Sequence, residues 1–468
     1  MGKKLSFFGS AFYYTIGVVL AQGTTFLTLM VLARLVSPDD NAMLNLYATW
    51  ASVFGTIVGL QGYGSMNNAR LDFGREQLDA YTSASFGLGS ISLLIMMAVL
   101  LVFGDFFAVA MKFPVELLVL CLLQGFFTYS VQHIAQKYRV LNKPVPFVIW
   151  TAAVSILRLV LSVSLVWMLK ERQQNDLYMG DVYGSFAANA AVGAVAVIVI
   201  LFKGKVFYNR AWWKYCLAIS LPFVFSGLAN LVLAQSDRYM LISLATTTEA
   251  GIYSYVFTIA QVAVALWMAF NNAWSVWYYD KTHAGKSEEI VQLFKKYALF
   301  VTLLSMGLIL VSPDIVRIFG GAEYSPGISI TPLMMGGCYF MFLYTFPVAY
   351  ESYKRKTAYI AIGTFSAAAL NIIINLFSIP AWGMMGAAFS SICSYIMLFI
   401  FHYIIARFVI KGFEIPFRLL MLQGLFVLGA IALTYISLEI TALRWVLLAI
   451  LALASLRVYK ESRHIMME

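Results

Sequence analysis

Charge is scarce in this chain of 468 residues: Asp, Glu, Lys and Arg make up 12% of the sequence, whereas hydrophobic residues make up 61%. Soluble domains carry roughly 25% charged residues, so the composition excludes an ordinary water-soluble enzyme. The gaps between apolar runs reach only about 18 residues, and a segment of that length cannot bury a core of its own. We therefore expect a membrane-embedded protein without a separate soluble domain.

Cysteine and histidine are also rare, with four of each in the chain. Each cysteine lies in an apolar run and none forms a CxxC pair, which argues against disulfides and structural zinc. The histidines are far apart and have no metal-ligand spacing. The sequence also lacks GxSxG, HExxH and P-loop signatures and paired carboxylates in an exported loop. We expect no enzyme, no metal site and no cofactor.

Long apolar runs, in contrast, are abundant. A run of about 20 residues is long enough to cross a bilayer as one helix. The pattern predicts an all-α integral membrane fold with about 14 transmembrane helices. The predicted segments, in chain order, are residues 8–33, 47–66, 82–104, 115–135, 146–169, 178–202, 216–244, 250–278, 297–312, 328–350, 358–378, 383–405, 419–437 and 443–457.

The positive charges alternate from one gap between segments to the next. Of the 32 Lys and Arg residues, 24 lie in alternate gaps that begin with Lys3 and Lys4, and six lie in the other gaps. Cytoplasmic loops carry such an excess of Lys and Arg, so the pattern places both termini in the cytoplasm. The net charge of +10 is explained by this rim and by contact with anionic membrane lipids. We expect no nucleic-acid partner.

A weak internal repeat relates the two halves of the chain. When Lys143 is laid on Lys356, segment 5 lies over segment 11 and Arg158 meets Asn371. Six helices separate the two copies, so both run in the same direction across the membrane. Parallel repeats are typical of transporters that rock two lobes around a central site. We predict parallel six-helix lobes at 1–202 and 203–405, followed by two additional transmembrane helices and a cytoplasmic tail at 406–468.

Charged and amide side chains interrupt the apolar runs. Arg158 in segment 5 and Asp237 with Arg238 in segment 7 each cost roughly 2.5 to 3.5 kcal/mol at a helix centre, so each needs a partner or a water-filled cavity. A structural ion pair is one alternative, and interhelical contact is the ordinary role of a membrane Asn or Gln. Polar stripes at helical spacing in both halves favour a hydrophilic cavity. The candidate substrate-binding residues are Arg158, Arg238, Asp237, Asn230, Asn371, Asn375, Gln124 and Gln22.

Two stretches carry a resemblance to a known family. The stretch from Asn371 to Tyr395 holds two asparagines, an Ile-Pro turn, a glycine and then Gly-Ala-Ala. It resembles the turn between segments 11 and 12 in polysaccharide flippases of the multidrug/oligosaccharidyl-lipid/polysaccharide exporter superfamily. The stretch from Asp237 to Gln261 is similar to that family's Asp-Arg, hydrophobic run and Ala-Gly-Ile-Tyr-Ser. The first loop, LARLVSPDD, is also similar, but Asn41 follows it where the family usually has a glycine soon after.

The resemblance implies a flippase similar to the O-antigen translocases called Wzx. Its substrate would be a lipid-linked oligosaccharide on undecaprenyl pyrophosphate, moved by alternating access to the periplasmic leaflet of the bacterial inner membrane. The product would serve lipopolysaccharide O-antigen or related surface polysaccharide synthesis, with other polysaccharide assembly proteins as possible partners. Because an arginine fork matches phosphate oxygens, we expect Arg158 and Arg238 to line the cavity between the lobes.

Two other functions fit the composition. A drug or metabolite exporter of the same fold, coupled to a cation, would need an acidic residue deep in the N-terminal lobe. Glu116 and Asp181 lie only at the outer ends of segments 4 and 6. An integral-membrane glycan polymerase or ligase would need a sizeable exported loop, and the longest exported gap, about 313–327, is short for that purpose.

Overall fold

The computed structural model describes residues 20, 23–141, 143–354 and 356–467. All regular structure in these ranges is helical, and no strand occurs there. Nine helices of this part of the chain are long and apolar enough to cross a membrane. The all-α integral membrane fold is therefore confirmed, and the chain is a multi-pass membrane protein. The count of fourteen crossings stays a prediction.

The chain divides into two compact units, Met1–Gln235 and Ser236–Glu468. This boundary falls inside a long helix, whereas the predicted lobe boundary at 202 and 203 lies at the end of the preceding helix. The predicted lobes and their pseudosymmetry stay predictions. The helices of the first unit are α1 (Gly23–Leu32), α2 (Pro38–Gly59), α3 (Met66–Asp72), α4 (Leu78–Met111), α5 (Val115–Val140), α6 (Pro144–Glu171), α7 (Tyr178–Gly204) and most of α8 (Arg210–Leu244).

The loop sequence Ser-Pro-Asp-Asp starts α2. Ser37 is the N-cap residue, and its hydroxyl accepts a hydrogen bond from the backbone N–H of Asp40 at 3.1 Å. The Asp40 carboxylate in turn accepts from the Ser37 backbone N–H, which completes a capping box. Pro38 occupies the first helical position, where a missing N–H costs nothing. The first-loop motif therefore acts as a helix start.

Two glycines bring α6 and α7 into close contact. A Cβ atom placed on Gly184 would lie 2.5 Å from the backbone nitrogen of Ser162, and one on Gly180 would lie 2.7 Å from that of Val166. Small residues spaced by four let membrane helices approach with their backbones in contact. Asp181 follows the first of these glycines, so the close approach fixes its position against α6.

The second unit contains the end of α8 and seven further helices. Predicted segment 10 is split into two helices, and predicted segments 11 and 12 lie on one long helix. The helices are α9 (Thr247–His283), α10 (Ser287–Gly320), α11 (Thr331–Leu343), α12 (Thr345–Tyr353), α13 (Thr357–Ile404), α14 (Phe417–Ile436) and α15 (Thr441–Met467).

Helix α13 changes direction at Gly383, whose φ of 55° and ψ of −134° lie outside the helical region. A positive φ favours glycine, because a Cβ atom would be strained there. The Glu249 carboxylate accepts a hydrogen bond from the backbone N–H of Met384 at 2.6 Å. A carboxylate is favourable at the start of a helix, where backbone N–H groups lack partners. Glu249 thus caps the second part of α13.

The last helix is attached to α10 through a buried arginine. Arg444 is 1% exposed, and its Nη2 lies 2.7 Å from Asp314. Its Nη1 donates to the carbonyls of Ser437 and Leu438 at 2.6 and 2.7 Å. The guanidinium therefore satisfies both a buried carboxylate and the carbonyls at the end of α14.

Candidate functional site

In the first unit, Arg158 on α6 forms an ion pair with Asp181 on α7. The Arg158 Nη2 lies 3.4 Å from the Asp181 Oδ2, which is longer than the usual 2.7 to 2.9 Å of a charge-assisted hydrogen bond. Asp181 is buried, whereas the Arg158 side chain is 38% exposed. The Asp181 Oδ1 and the Arg158 Nε are buried without a hydrogen-bond partner in the described ranges. The pair therefore keeps capacity for a polar ligand.

One turn further along α7, Ser185 joins a second polar network. The Tyr47 hydroxyl donates to the Gln124 Oε1 at 2.7 Å, and the Gln124 Nε2 donates to the Ser185 Oγ at 3.1 Å. Thr128, one turn beyond Gln124, donates to Asn189 at 3.0 Å. Gln124 thus connects α2, α5 and α7, and its contacts are those of interhelical packing.

In the second unit, Asp237 on α8 lies at the centre of a hydrogen-bond network. Its Oδ2 accepts from the hydroxyls of Tyr253 and Ser391, each at 2.6 Å. Its Oδ1 accepts from the Asn375 Nδ2, also at 2.6 Å. All three donors are neutral, so the buried carboxylate is solvated by polar side chains in place of water.

The two predicted asparagines extend this network along α13. Asn371 accepts from Asn375 and from the Ser236 hydroxyl, each at 3.2 Å. Asn371 also donates to the Ser390 hydroxyl at 3.3 Å, and that hydroxyl donates to the Asn375 carbonyl. Asn371 and Asn375 precede Gly383 and Ser390 follows it, so the network joins the two parts of α13.

Arg238 lies beside Asp237 in sequence but points to a different neighbour. Its guanidinium carbon lies 4.3 Å from the centre of the Phe257 ring, and the residue is 9% exposed. Neighbouring residues on a helix point about 100° apart, which agrees with this divergence. A guanidinium stacked on an aromatic face keeps its N–H groups directed outward in the ring plane.

The structure thus brings Asp237, Asn371 and Asn375 together in the second unit. In the first unit, Arg158 contacts Asp181 and Gln124 contacts Ser185. Asp181 and Ser185 lie on successive turns of α7. Gln22 lies outside the described residues, and so does the side chain of Asn230. Whether these eight residues bind substrate stays a prediction. No group of three or more His, Cys, Asp or Glu side chains that could hold a metal ion occurs in the ranges that the structure describes.

Sequence reasoning missed the acidic partner of Arg158. Asp181, Ser185 and Asn189 recur every four residues and all three are buried, so their helical spacing was an available signal. Hydropathy instead places Asp181 at the outer end of segment 6. Tyr253 and Ser391 carry no such signal, since each reaches Asp237 only through packing between helices.

A comparison with protein families adds to this geometry. The family model described as "Polysaccharide biosynthesis protein" matches residues 8–278. No curated protein matches the chain.

Solved structures with the same fold are membrane transporters. The lipid II flippase MurJ, in an inward closed conformation, has a TM-score of 0.71 and 16% identity, over 97% of this chain and 99% of that chain. An inward-facing multidrug resistance transporter of the MATE family, in the MOP superfamily, has a TM-score of 0.58 and 14% identity, over 85% of this chain and 98% of that chain. A MOP superfamily transporter from Pyrococcus furiosus, described as having a binding pocket of reverse polarity, has a TM-score of 0.55 and 12% identity, over 86% of this chain and 95% of that chain. These likenesses show a transporter fold of the MOP type.

Proposed function

The chain belongs to the polysaccharide biosynthesis protein family, and we propose that it is a flippase for a lipid-linked oligosaccharide. The carrier lipid is undecaprenyl pyrophosphate, and the glycan passes from the cytoplasmic to the periplasmic leaflet by alternating access. The observation that carries this proposal is the buried Arg238 guanidinium on an apolar helix of a flippase-like fold. A buried cation is costly in a membrane and is normally retained for function.

The pyrophosphate explains why arginine is used at these positions. A neutral glycan offers only hydroxyl groups, whereas the pyrophosphate carries the negative charge that a guanidinium binds in a bidentate manner. Arg158 has the exposed fraction and the incomplete ion pair that a ligand contact requires. Arg238, held on the Phe257 ring, is the second phosphate contact in this proposal.

The proposed location is the bacterial inner membrane, with both termini in the cytoplasm. The proposed pathway is O-antigen or related surface polysaccharide synthesis. Topology reporters at Lys143, Lys286 and Lys356 are expected to give cytoplasmic signals, because the alternation of Lys and Arg places these gaps inside. A periplasmic signal at any of the three would contradict the orientation.

The experiment that tests the function uses a strain from which the gene is deleted. Loss of the flippase is expected to stop surface polysaccharide formation and to leave lipid-linked repeat units in the cytoplasmic leaflet. Arg158→Ala and Arg238→Ala should fail to restore export, and Arg158→Lys and Arg238→Lys should restore it in part. The matched control is Arg172→Ala, since Arg172 is an exposed loop arginine. Normal export by both alanine variants, at matched membrane levels, would refute the assigned phosphate contacts.

A cation-coupled drug or metabolite exporter is the second candidate. The buried Asp181 in the first unit is the kind of acidic residue that such an exporter needs. Its pairing with Arg158 weakens this alternative, because the carboxylate already has a cationic neighbour. Drug resistance that depends on Asp181, in a strain whose polysaccharide is unaffected by the deletion, would favour the exporter.

A further inference from the structure

The second unit contains a pair of fully buried ionisable side chains that the proposed phosphate contacts do not use. Glu351 on α12 and His402 on α13 are each 0% exposed. The His402 Nδ1 lies 2.9 Å from one carboxylate oxygen of Glu351 and 3.0 Å from the other. With Glu351 ionised, the carboxylate has only acceptor atoms, so Nδ1 is then the donor to both oxygens.

The other ring nitrogen of His402 is left without a partner. His402 Nε2 is buried and makes no hydrogen bond with any residue that the structure describes. It faces Gly363, in the first part of α13: a Cβ atom placed there would lie only 2.6 Å from Nε2. The helices are therefore too close at this level for a water molecule to reach the nitrogen.

Two opposing costs follow from this geometry. With Nε2 unprotonated, the ring is neutral and the pair carries one buried negative charge, which is unfavourable in an apolar interior. With Nε2 protonated, the pair is neutral overall, but a buried N–H donor lacks an acceptor. Neither state is fully satisfied in the closed packing. A small change around Nε2 is therefore enough to decide which state is preferred.

The change that favours the protonated ring is separation of the two parts of α13. If the helix bearing Gly363 moves away from His402, water reaches Nε2 and accepts its hydrogen bond. Proton uptake and helix separation then stabilise each other, as linkage between two equilibria requires. Histidine suits this role because each ring nitrogen can either carry a proton as a donor or lack one as an acceptor.

Other ionisable groups on the neighbouring elements have partners of their own. Tyr344, between α11 and α12, stacks on the His402 ring with the ring centres 5.9 Å apart. Tyr339 of α11 shares a hydrogen bond with Thr302 at 2.7 Å, and Lys281 of α9 donates to Glu289 at 2.7 Å. Five further groups on the elements packed against α12 are also engaged elsewhere. They are Tyr278 of α9, which donates to Glu414; Tyr350 of α12, which donates to the Lys411 carbonyl; Tyr403 of α13, which donates to the Ile415 carbonyl; Arg407, which donates to the Phe413 carbonyl; and Lys354, which lies over the Tyr350 and Tyr353 rings.

We propose that Glu351 and His402 form a proton-binding site, and that a proton taken up on His402 Nε2 couples helix separation at Gly363 to the transport cycle. The coupling to transport rests on the proposed flippase function, whereas the proton site itself does not. The proton comes from water, and the charge of the pair changes from −1 to zero. Two readouts separate these claims.

The first readout is nitrogen NMR of the full chain, labelled at histidine and reconstituted in phosphatidylethanolamine and phosphatidylglycerol vesicles. The chain has only four histidines, so His402→Gln assigns the signal. Nδ1 should carry a proton at both pH 5.5 and pH 8.5, and Nε2 should carry one only at the lower pH. An Nε2 signal that is the same at both pH values, in the unmodified protein, would overturn the proposal without any variant.

The second readout is the pH dependence of export in the deletion strain. Glu351→Gln should remove the difference in export rate between the two pH values while leaving a measurable basal rate. The control His283→Gln should keep the difference, because His283 is exposed. A pH dependence that survives in both Glu351→Gln and His402→Gln would refute the coupling. If the unmodified protein exports no glycan, the flippase function fails, and the NMR result still decides the proton site.

Discussion

A single methyl group at Gly184 should separate α6 from α7 and weaken the Arg158–Asp181 pair. The built Cβ of Gly184→Ala would lie 2.5 Å from the Ser162 nitrogen and 2.6 Å from its Cα. Both are backbone atoms, so no side-chain rotation relieves the overlap. Ordinary van der Waals contact begins near 3.4 Å, and the helices must therefore move apart by about 0.9 Å in this close-packed region.

The same displacement would lengthen the ion pair between Arg158 and Asp181. A separation of 3.4 Å between Arg158 and Asp181 would grow to about 4.3 Å, beyond the limit of about 4 Å for an ion pair. Overpacking costs roughly 1 to 3 kcal/mol, and the better helix propensity of alanine offsets about 1 kcal/mol of it. We expect a net loss of unfolding free energy of roughly 0 to 2 kcal/mol, which is roughly 1 to 3 kcal/mol below a variant that gains the helix propensity without the overlap, and a reduced export rate.

The assay compares Gly184→Ala with Gly429→Ala in detergent-solubilised protein, by chemical unfolding, and in the deletion strain, by polysaccharide export. Gly429 has no atom within 4 Å of its built Cβ, so this control gains helix propensity without overlap. It should be as stable as the unmodified protein or more stable. If the two variants have the same unfolding free energy and the same export, the close approach of α6 and α7 does not determine either property.

Three further predictions concern the second unit. Asn375→Ala should lower the free energy of unfolding by roughly 1.5 to 3 kcal/mol, because it removes a buried donor to the Asp237 carboxylate; chemical unfolding measures this, and no change would contradict the network. Arg444→Ala should lower the free energy of unfolding by roughly 3 to 5 kcal/mol, since it leaves the buried Asp314 without its closest cation. Limited proteolysis should then cut the chain near α15, and an uncut chain would contradict the attachment of α15 to α10. Gly383→Ala should lower the free energy of unfolding by roughly 1 to 3 kcal/mol, because Gly383 has a positive φ that strains any other residue. An unchanged thermal unfolding temperature would show that the kink tolerates a side chain.

Helix positions are predictable from the sequence, because the thickness of the bilayer core sets the length of the apolar run that crosses it. Helix ends were less so. Helix α9 extends to His283, beyond the predicted limit of residue 278. Its last turns contain Tyr, Asp and Lys residues that hydropathy assigns to a loop, although nothing in them ends a helix. Hydropathy ends segment 11 at residue 378 and starts segment 12 at residue 383, whereas the helix continues past residue 378 and its backbone leaves the helical region only at Gly383.

The polar partners were harder to predict than the polar positions. Helical spacing identifies residues on one face, as with Asn371 and Asn375, which the structure finds hydrogen-bonded to each other. It cannot identify a partner on another helix. His402 and Glu351 are 51 residues apart, and no periodicity connects them. The isolated positions of the histidines therefore indicate no metal site and do not point to the buried contact between His402 and Glu351.

The two polar clusters on α13 lie at different distances from its kink, and this geometry relates them mechanically. At about 1.5 Å per residue, Asn375 lies roughly 12 Å from Gly383 and His402 lies roughly 28 Å from it. A pivot of about 5° at Gly383 would then move the helix roughly 1 Å at Asn375 and roughly 2.4 Å at His402. The first displacement would lengthen the 2.6 Å hydrogen bond between Asn375 and Asp237 to as much as about 3.6 Å, the limit of such a bond, whereas the second would open more space beside His402 Nε2. A pivot at Gly383 would therefore move the Asp237 network little, and it would move the Glu351–His402 pair about twice as far.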